Sequence, residues 1–236
     1  MERKLSQLVE RLKGAYQDRL VSVILYGSAA GGDHHPRFSD LNVLGVLREI
    51  TPRELAEAGP VLRWWREQGN PAPLLLSLEE VRHATDCFPI EFHDLKERRR
   101  VLYGEDVVAG LEIDECFYRA QVEHELRAKL LRLRQKAAGV LPDRELLRGV
   151  LADSVSTFCI LFRHALRLAG YEAPFEKRAI VARAREKFGA DVSAFDRLLD
   201  LREGKIRARE LEPAALLAGY IRAVETVTAA VDALEK

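Results

Sequence analysis

The sequence has few cysteines, no net charge and no long apolar run. Its 236 residues include 3 cysteines, which are too few and too scattered for a disulfide framework or a zinc site. Cys87, Cys116 and Cys159 each lie in an apolar stretch, so we expect three buried, reduced thiols. No window approaches the roughly 18 apolar residues of a membrane helix, and the N-terminus lacks the apolar core of a signal peptide. We therefore expect a cytoplasmic protein with no membrane partner.

The charge balance argues against one class of partner. Lys and Arg number 37, as do Asp and Glu, and the two signs are close to balanced in each half of the chain. A dedicated nucleic-acid-binding domain usually has a basic excess, because neutralising phosphates supplies most of its affinity. The sequence therefore predicts no extended nucleic-acid partner. A small anionic substrate needs only a few local charges and stays possible.

The first half of the chain alternates between helical and strand patterns. Apolar residues at helical spacing predict a helix over the first fifteen residues, and Thr51 with Pro52 predicts the start of another helix over 53–68. Short apolar segments predict four buried strands. These strands are expected at 21–27, 41–47, 73–78 and 89–95, with a short helical piece at 78–84.

From residue 114 onward only helical periodicity is present. Five helices are expected, and glycines stand at the breaks between them, as is typical of helix C-termini. Their expected ranges are 114–138, 143–169, 176–187, 192–202 and 213–234. We therefore expect two domains, an α/β domain over 1–110 and a helical domain over 111–236.

The residues that point to chemistry lie between the first two predicted strands. The first strand ends in Gly27-Ser28, a glycine-containing loop follows, and the second strand begins with Asp40-Leu41-Asn42. Since side chains alternate along a strand, Asp40 and Asn42 project from the same face. Two polar residues at the start of an apolar strand are costly unless a partner satisfies them. Mg²⁺, which takes oxygen ligands from one or two side chains plus substrate phosphates, is such a partner.

This pattern resembles the nucleotidyltransferase superfamily that includes DNA polymerase beta and kanamycin nucleotidyltransferase. The signature of that superfamily is Gly-Ser, about ten residues, and then two acids separated by one residue, on adjacent strands. Here Gly27-Ser28 is followed by eleven residues and then Asp40-x-Asn42. The third carboxylate of the superfamily lies on a later strand, and Glu91 in the segment PIEFHDL is the match for it. The segment KERRRVLYGED at 96–106 and the helical second half also resemble the superfamily.

The resemblance implies a fold, a reaction and roles for residues. The fold is α+β, a small mixed-sheet domain followed by an all-α bundle that binds the acceptor or forms a dimer. The reaction transfers a nucleoside monophosphate from a nucleoside triphosphate to an acceptor hydroxyl, with two Mg²⁺ ions. Asp40 would bridge the metals, and Gly27 and Ser28 would hold the terminal phosphates. Glu91 would bind the metal nearest the acceptor hydroxyl and would accept the proton of that hydroxyl.

Two loop residues and one alternative acid complete the candidate site. Arg37 could reach a phosphate, and Ser39 is a further candidate for a nucleotide contact. Asp94 is the alternative to Glu91 as the third acid, although strand alternation would place the two on opposite faces. The neighbouring pair His34-His35 is read as a solvated loop rather than a metal site.

Asn42 departs from the superfamily pattern, because it is a neutral amide where the second carboxylate belongs. Its oxygen can still bind a metal, but the site lacks one negative charge and should hold a second Mg²⁺ weakly. Three hypotheses follow: a working enzyme with a weakened site, an enzyme with one metal, and a nucleotide-binding or interaction module that does not catalyse. The expected partners are a nucleoside triphosphate, an acceptor with a hydroxyl group and a second copy of the chain in a homodimer.

Overall fold

The computed structural model describes residues 1–31 and 41–234. The chain divides into two compact units, Met1–Cys116 and Phe117–Lys236. The first unit contains a four-stranded sheet with helices, and the described part of the second unit contains only helices among its regular elements. The expected α+β class with a small mixed sheet is confirmed. The roles assigned to the two regions stay predictions.

Four strands build the sheet of the first unit. After helix α1 (Glu2–Tyr16) come β1 (Leu20–Tyr26), β2 (Asn42–Leu47), β3 (Leu74–Ser77) and, later, β4 (Arg99–Gly104). Their order across the sheet is β3-β2-β1-β4. β1 pairs antiparallel with both β2 and β4, and β2 pairs parallel with β3. β1 is therefore a central strand, and the predicted strands at 21–27, 41–47 and 73–78 are confirmed.

The fourth predicted strand, at 89–95, is wrong. These residues belong to a helix, and the fourth strand, β4, begins after that helix ends. Between β2 and β4 the helices are α2 (Pro52–Glu67), α3 (Leu78–His83) and α4 (Pro89–Glu97). A short apolar run fits a strand and a buried helix equally well by periodicity. The useful signal was Pro89, which stands in the first turn of α4, where a missing N–H costs nothing.

Helices cover both faces of the sheet, and strand alternation divides the core in two. On one face Leu25 and Val43 pack with α1 and α2, where Trp65 is fully buried. On the other face Ile24 and Leu44 pack with Phe92 of α4. The sheet is thus the middle layer of the unit, and each strand residue is assigned to a face by its position along the strand.

A capping box and a buried carboxylate fix the start of α2. The Thr51 side chain accepts a hydrogen bond from the Arg53 amide at 3.2 Å, and the Thr51 amide donates to the Glu54 carboxylate at 3.1 Å. Glu54 also accepts hydrogen bonds from the Thr51 hydroxyl and from Arg19, although its residue is only 2% exposed. The predicted N-cap at Thr51 is confirmed, and Glu54 links α2 to the segment before β1.

The second unit contains the five expected helices. An aromatic cluster lies in its core, where the rings of Phe195 and Tyr220 are 4.5 Å apart and those of Phe158 and Tyr220 meet edge to face. Gly189 ends one helix with a left-handed conformation, as the sequence predicts. The helices are α5 (Tyr118–Val140), α6 (Arg144–Leu168), α7 (Lys177–Phe188), α8 (Ser193–Arg202) and α9 (Pro213–Asp232).

Helix α9 contradicts the expectation that no segment is apolar enough for a membrane helix. Among the described helices it is the one whose length and apolar composition suffice to cross a membrane. The same composition is typical of the core helix of a helical bundle. One side of α9 is buried, including Tyr220, Val224 and Val227.

Two of the three cysteines are not buried as expected. Cys159 lies inside α6 and is buried, and burial raises the pKa of its thiol to about 12. Cys87 and Cys116 are exposed. Both lie in turns, and their aromatic neighbours Phe88 and Phe117 are themselves 48% and 60% exposed. An apolar neighbour in sequence therefore gave no information about burial at these two positions.

Substituting Glu54 with Gln should remove part of the acid sensitivity of the protein. The hydrogen bond from the Thr51 hydroxyl, supported by Arg19, lowers the pKa of Glu54 from 4.5 to about 2. Because the folded state holds the charged form, this stabilisation is complete above the unfolded pKa and is lost as the pH falls toward about 2. Glu54→Gln should lower the melting temperature by several degrees at neutral pH and by much less near pH 2.

Circular dichroism melts across this pH range test the expectation, with Glu49→Gln as the control. Glu49 is exposed, and no ion pair with it is found among the described residues. If Glu54→Gln and wild type melt with the same pH dependence, the bonds to Glu54 do not contribute to stability.

Substituting Phe92 with Ala should destabilise the first unit. Phe92 is 1% exposed and packs on the sheet face that carries Ile24 and Leu44. Removing a buried phenyl ring costs about 3–5 kcal/mol. Phe88→Ala is the matched control, since the 48% exposed Phe88 should cost about 0.5 kcal/mol or less. Urea denaturation of the two variants measures the difference, and equal losses would mean that α4 is not anchored by Phe92.

Candidate functional site

Gly27 and Ser28 lie in a tight turn directly after β1. Residues Gly27–Ala29 form a 3₁₀ turn, in which Ala30 donates its amide to the Gly27 carbonyl at 3.1 Å. Gly27 has a φ of 76°, a left-handed conformation that favours glycine. Its amide donates to the Arg98 carbonyl at 3.0 Å. The turn is therefore tied to the start of β4, and the glycine is required by its backbone conformation.

Asn42 stands beside this turn at the first position of β2. In the antiparallel register Asn42 lies opposite Tyr26, the last residue of β1. A Cβ atom added to Gly27 would lie 3.4 Å from the Asn42 side-chain nitrogen, so the amide lies against the turn. By alternation Asn42 projects from the same face as Leu44, which is the face that α4 covers. The structure thus brings Gly27 and Asn42 together, as the sequence predicts.

Asp40, Arg37 and Ser39 lie outside the described residues, as do His34 and His35. The roles assigned to them from the sequence stay predictions. Among residues 1–31 and 41–234 there is no group of three His, Cys, Asp or Glu side chains close enough to hold a metal ion. In that part of the chain, a metal site at this edge of the sheet would take its ligands from Asn42 and from acids on α4.

Glu91 is not on a strand, which corrects the prediction of its position. It lies in the first turn of α4 and is exposed. Asp94 is three residues further along the same helix and is half-buried. Residues three apart lie on the same side of a helix, whereas strand alternation would have separated them. Glu91 and Asp94 therefore lie on the same side of α4. Strand alternation no longer gives a reason to prefer Glu91 over Asp94 as the third acid.

Tyr26, the last residue of β1, lies on the sheet face that α4 covers. It packs with Ile24, Leu44 and Phe92 of α4, and it stands opposite Asn42 in the register. Burial, and then the negative charges of Glu91 and Asp94, raise the pKa of the Tyr26 hydroxyl to about 12. Sequence reasoning missed Tyr26. Its signal was an aromatic residue directly before Gly-Ser at a strand end.

The strands that follow β2 supply no acid to this site. β3, the parallel neighbour of β2, consists of Leu74–Ser77, and β4 consists of Arg99–Gly104. In β4, Arg99 lies opposite Tyr26 and is paired with Asp106 at 2.9 Å. The described strands therefore contribute one amide, that of Asn42, and no carboxylate.

The arrangement suits a ligand with phosphate groups and a cation. A turn with a left-handed glycine lets backbone amides approach a phosphate closely. The Asn42 amide oxygen and the carboxylates of Glu91 and Asp94 are the oxygen donors that Mg²⁺ prefers. The donor set is poorer in negative charge than two divalent cations require, because Asn42 is neutral and both acids stand on α4.

Comparison with known proteins gives a match in structure and none in sequence. No protein-family model matches the chain, and no curated protein matches it. A solved structure does match, that of a spectinomycin adenyltransferase from Enterococcus faecialis with ATP and spectinomycin. The TM-score is 0.63 at 14% identity, over 95% of this chain and 99% of the other. At this identity the likeness establishes the fold, so the chain has the fold of a nucleotidyltransferase followed by a helical unit.

Proposed function

We propose that this protein is a nucleotidyltransferase that moves a nucleoside monophosphate from a nucleoside triphosphate to an acceptor hydroxyl. The observation that carries the proposal is the turn at Gly27-Ser28 with Asn42 beside it, at the same edge of a sheet whose fold is that of an adenyltransferase. The similar structure was solved with ATP, which supports a nucleoside triphosphate as the substrate.

The residues of the first unit would divide the work as follows. The amides of the Gly27–Ala29 turn and the Ser28 hydroxyl would hold the terminal phosphates. Asp40 and Asn42 would bind Mg²⁺, whose chemistry is to neutralise the charge that develops on the phosphates. Glu91 or Asp94 would accept the proton of the acceptor hydroxyl, since α4, which carries both, packs on the sheet face that holds Tyr26.

A second candidate function is nucleotide binding without transfer. It is favoured by the neutral Asn42 and by the absence of a carboxylate from β3 and β4. Both hypotheses predict triphosphate binding, and they differ in whether pyrophosphate is released. A single-turnover assay with ATP, Mg²⁺ and a hydroxyl acceptor separates them. Spectinomycin is the first acceptor to test, because the similar structure contains it.

The choice of acceptor is proposed to belong to the helical unit. A sheet of four short strands offers a binding site for a triphosphate but little additional surface to bind a second substrate. The helices carry the charged side chains that an acceptor would need, including Glu123, Glu125 and Arg127 of α5. The cytoplasmic location and the possible homodimer remain part of the proposal.

Replacing Asp40 or Ser28 should weaken the binding of ATP with Mg²⁺. Asp40→Ala removes the proposed metal ligand, and Ser28→Ala removes one hydrogen bond to a phosphate. Losing a hydrogen bond to a charged group weakens binding by about tenfold or more. Isothermal titration calorimetry on the full chain measures this, with Asp18→Ala and Ser6→Ala as exposed controls. Unchanged Mg²⁺-dependent affinity in both site variants would refute the proposed nucleotide site.

Replacing Asn42 with Asp should tighten Mg²⁺ binding and raise any transfer rate. The change restores a charge that two divalent cations require. Without metal, repulsion from Asp40 should cost about 1 kcal/mol of stability, which denaturation in a chelating buffer would detect. Asn42→Ala is the matched control and should weaken Mg²⁺ binding. If all three proteins bind Mg²⁺ equally, this position is not a metal ligand.

A further inference from the structure

Helix α5 carries two sets of cationic side chains, and one set is neutralised within the helical unit. Arg127 pairs with Glu123 of its own helix at 2.7 Å and with Asp232 at the end of α9 at 3.3 Å. Arg134, two turns along, pairs with Glu225 of α9. The cations that face α9 therefore each have a carboxylate partner, as is expected of surface charges in a folded unit.

The second set faces α6 and is different. It consists of Lys129, Arg132 and Lys136, which line an open groove of about 190 Å³ between α5 and α6. Lys129 pairs with Glu125 at 3.2 Å. Among the described residues, no carboxylate lies within ion-pair distance of Arg132 or Lys136. Arg132 and Lys136, two exposed cations one turn apart, can therefore both bind a ligand in this groove.

The rest of the groove offers the Thr157 hydroxyl and an apolar floor. Ser154 of α6 also lines the groove, but its hydroxyl already donates to the Leu151 carbonyl at 2.8 Å and lies 2.8 Å from the Tyr220 hydroxyl. Leu133 and Phe158 form the floor, and both are at most 3% exposed. Asp153 is the single acid among the lining residues. With Lys129 paired to Glu125, Arg132 and Lys136 against the one acid of the lining leave the groove with a positive potential, and the floor holds the groove in shape.

We propose that this groove binds a small anion that carries a diphosphate group. Positions i, i+3 and i+7 place the three cations along about 10 Å of one helix face, a length that suits two adjacent phosphates. Arg132 can form two parallel hydrogen bonds to one phosphate, and Lys136 can act on the next as a point charge. The groove is too small for a folded partner. It lies within the second unit, so the proposal does not depend on the nucleotide site of the first unit.

The test is calorimetry of the full chain with inorganic pyrophosphate in a buffer free of Mg²⁺. Wild type should bind one pyrophosphate in the groove, and binding should weaken as salt is added. Arg132→Gln and Lys136→Gln should each lower the affinity by about tenfold or more. Arg134→Gln removes the same charge from the same helix on the side that faces α9, and it should leave the affinity unchanged.

Further measurements separate the possible sources and outcomes. If ADP shows the same dependence on Arg132, the diphosphate is carried by a nucleotide; if pyrophosphate alone does, it is inorganic. Ser28→Ala should leave groove binding intact, so a failure of the proposed nucleotide site is distinguishable from a failure here. The proposal is overturned if pyrophosphate does not bind, or if Arg132→Gln, Lys136→Gln and Arg134→Gln reduce binding equally while circular dichroism shows all three folded.

Discussion

Pairing of β1 on both of its edges determines where the candidate site lies. Because β1 is antiparallel to β2 and to β4, its last residue, Tyr26, has Asn42 on one side and Arg99 on the other. The chain turns sharply directly after Tyr26, and the left-handed conformation of Gly27 makes this turn possible. The bond from the Gly27 amide to Arg98 then ties the turn to β4. One strand end therefore brings together the turn, the amide of β2 and the start of β4.

Helix α4 supplies the negative charge that the strands lack. Phe92 and Leu95 anchor it on the sheet face that also carries Ile24 and Leu44. With that side fixed, α4 stands on the sheet face of Tyr26, and the charges of Glu91 and Asp94 help raise the pKa of the Tyr26 hydroxyl. A carboxylate on a helix is positioned by side-chain packing, whereas one on a strand is positioned by backbone pairing. The candidate acids of this protein are therefore held by the core of the first unit.

The helical unit shows how charge balance over a whole chain can conceal a local excess. The chain has no formal net charge, and Arg127 and Arg134 are neutralised by nearby acids. Arg132 and Lys136 on the neighbouring face of the same helix have no such partner in the described part of the chain. An anion site requires only that two or three cations be left together. A formal net charge of zero is therefore compatible with a site for a small anion.

Much of the secondary structure of this protein can be predicted from local patterns in its sequence. The strands β1, β2 and β3, the start of α2 at Thr51, the five helices of the second unit and the closeness of Gly27 and Asn42 all follow from alternation, helical spacing and turn chemistry. Because these patterns involve residues that are close in the sequence, they can be recognised before the tertiary structure is known. They also carried the resemblance to the nucleotidyltransferase superfamily, and the chain has the fold of the adenyltransferase structure that it matches.

Tertiary structure alone decided the features that depend on what a segment packs against. Residues 89–97 are a short segment of mixed apolar and polar residues, so their periodicity fits a strand or a helix, and contact with the sheet selected the helix. The helix placed Glu91 and Asp94 on one side and took away the acid that a strand at 89–95 would have given to the sheet. In the second unit, ion pairs with α9 decided which cations of α5 remain unpaired. Burial and charge pairing are long-range properties, because they depend on residues that are far apart in the sequence.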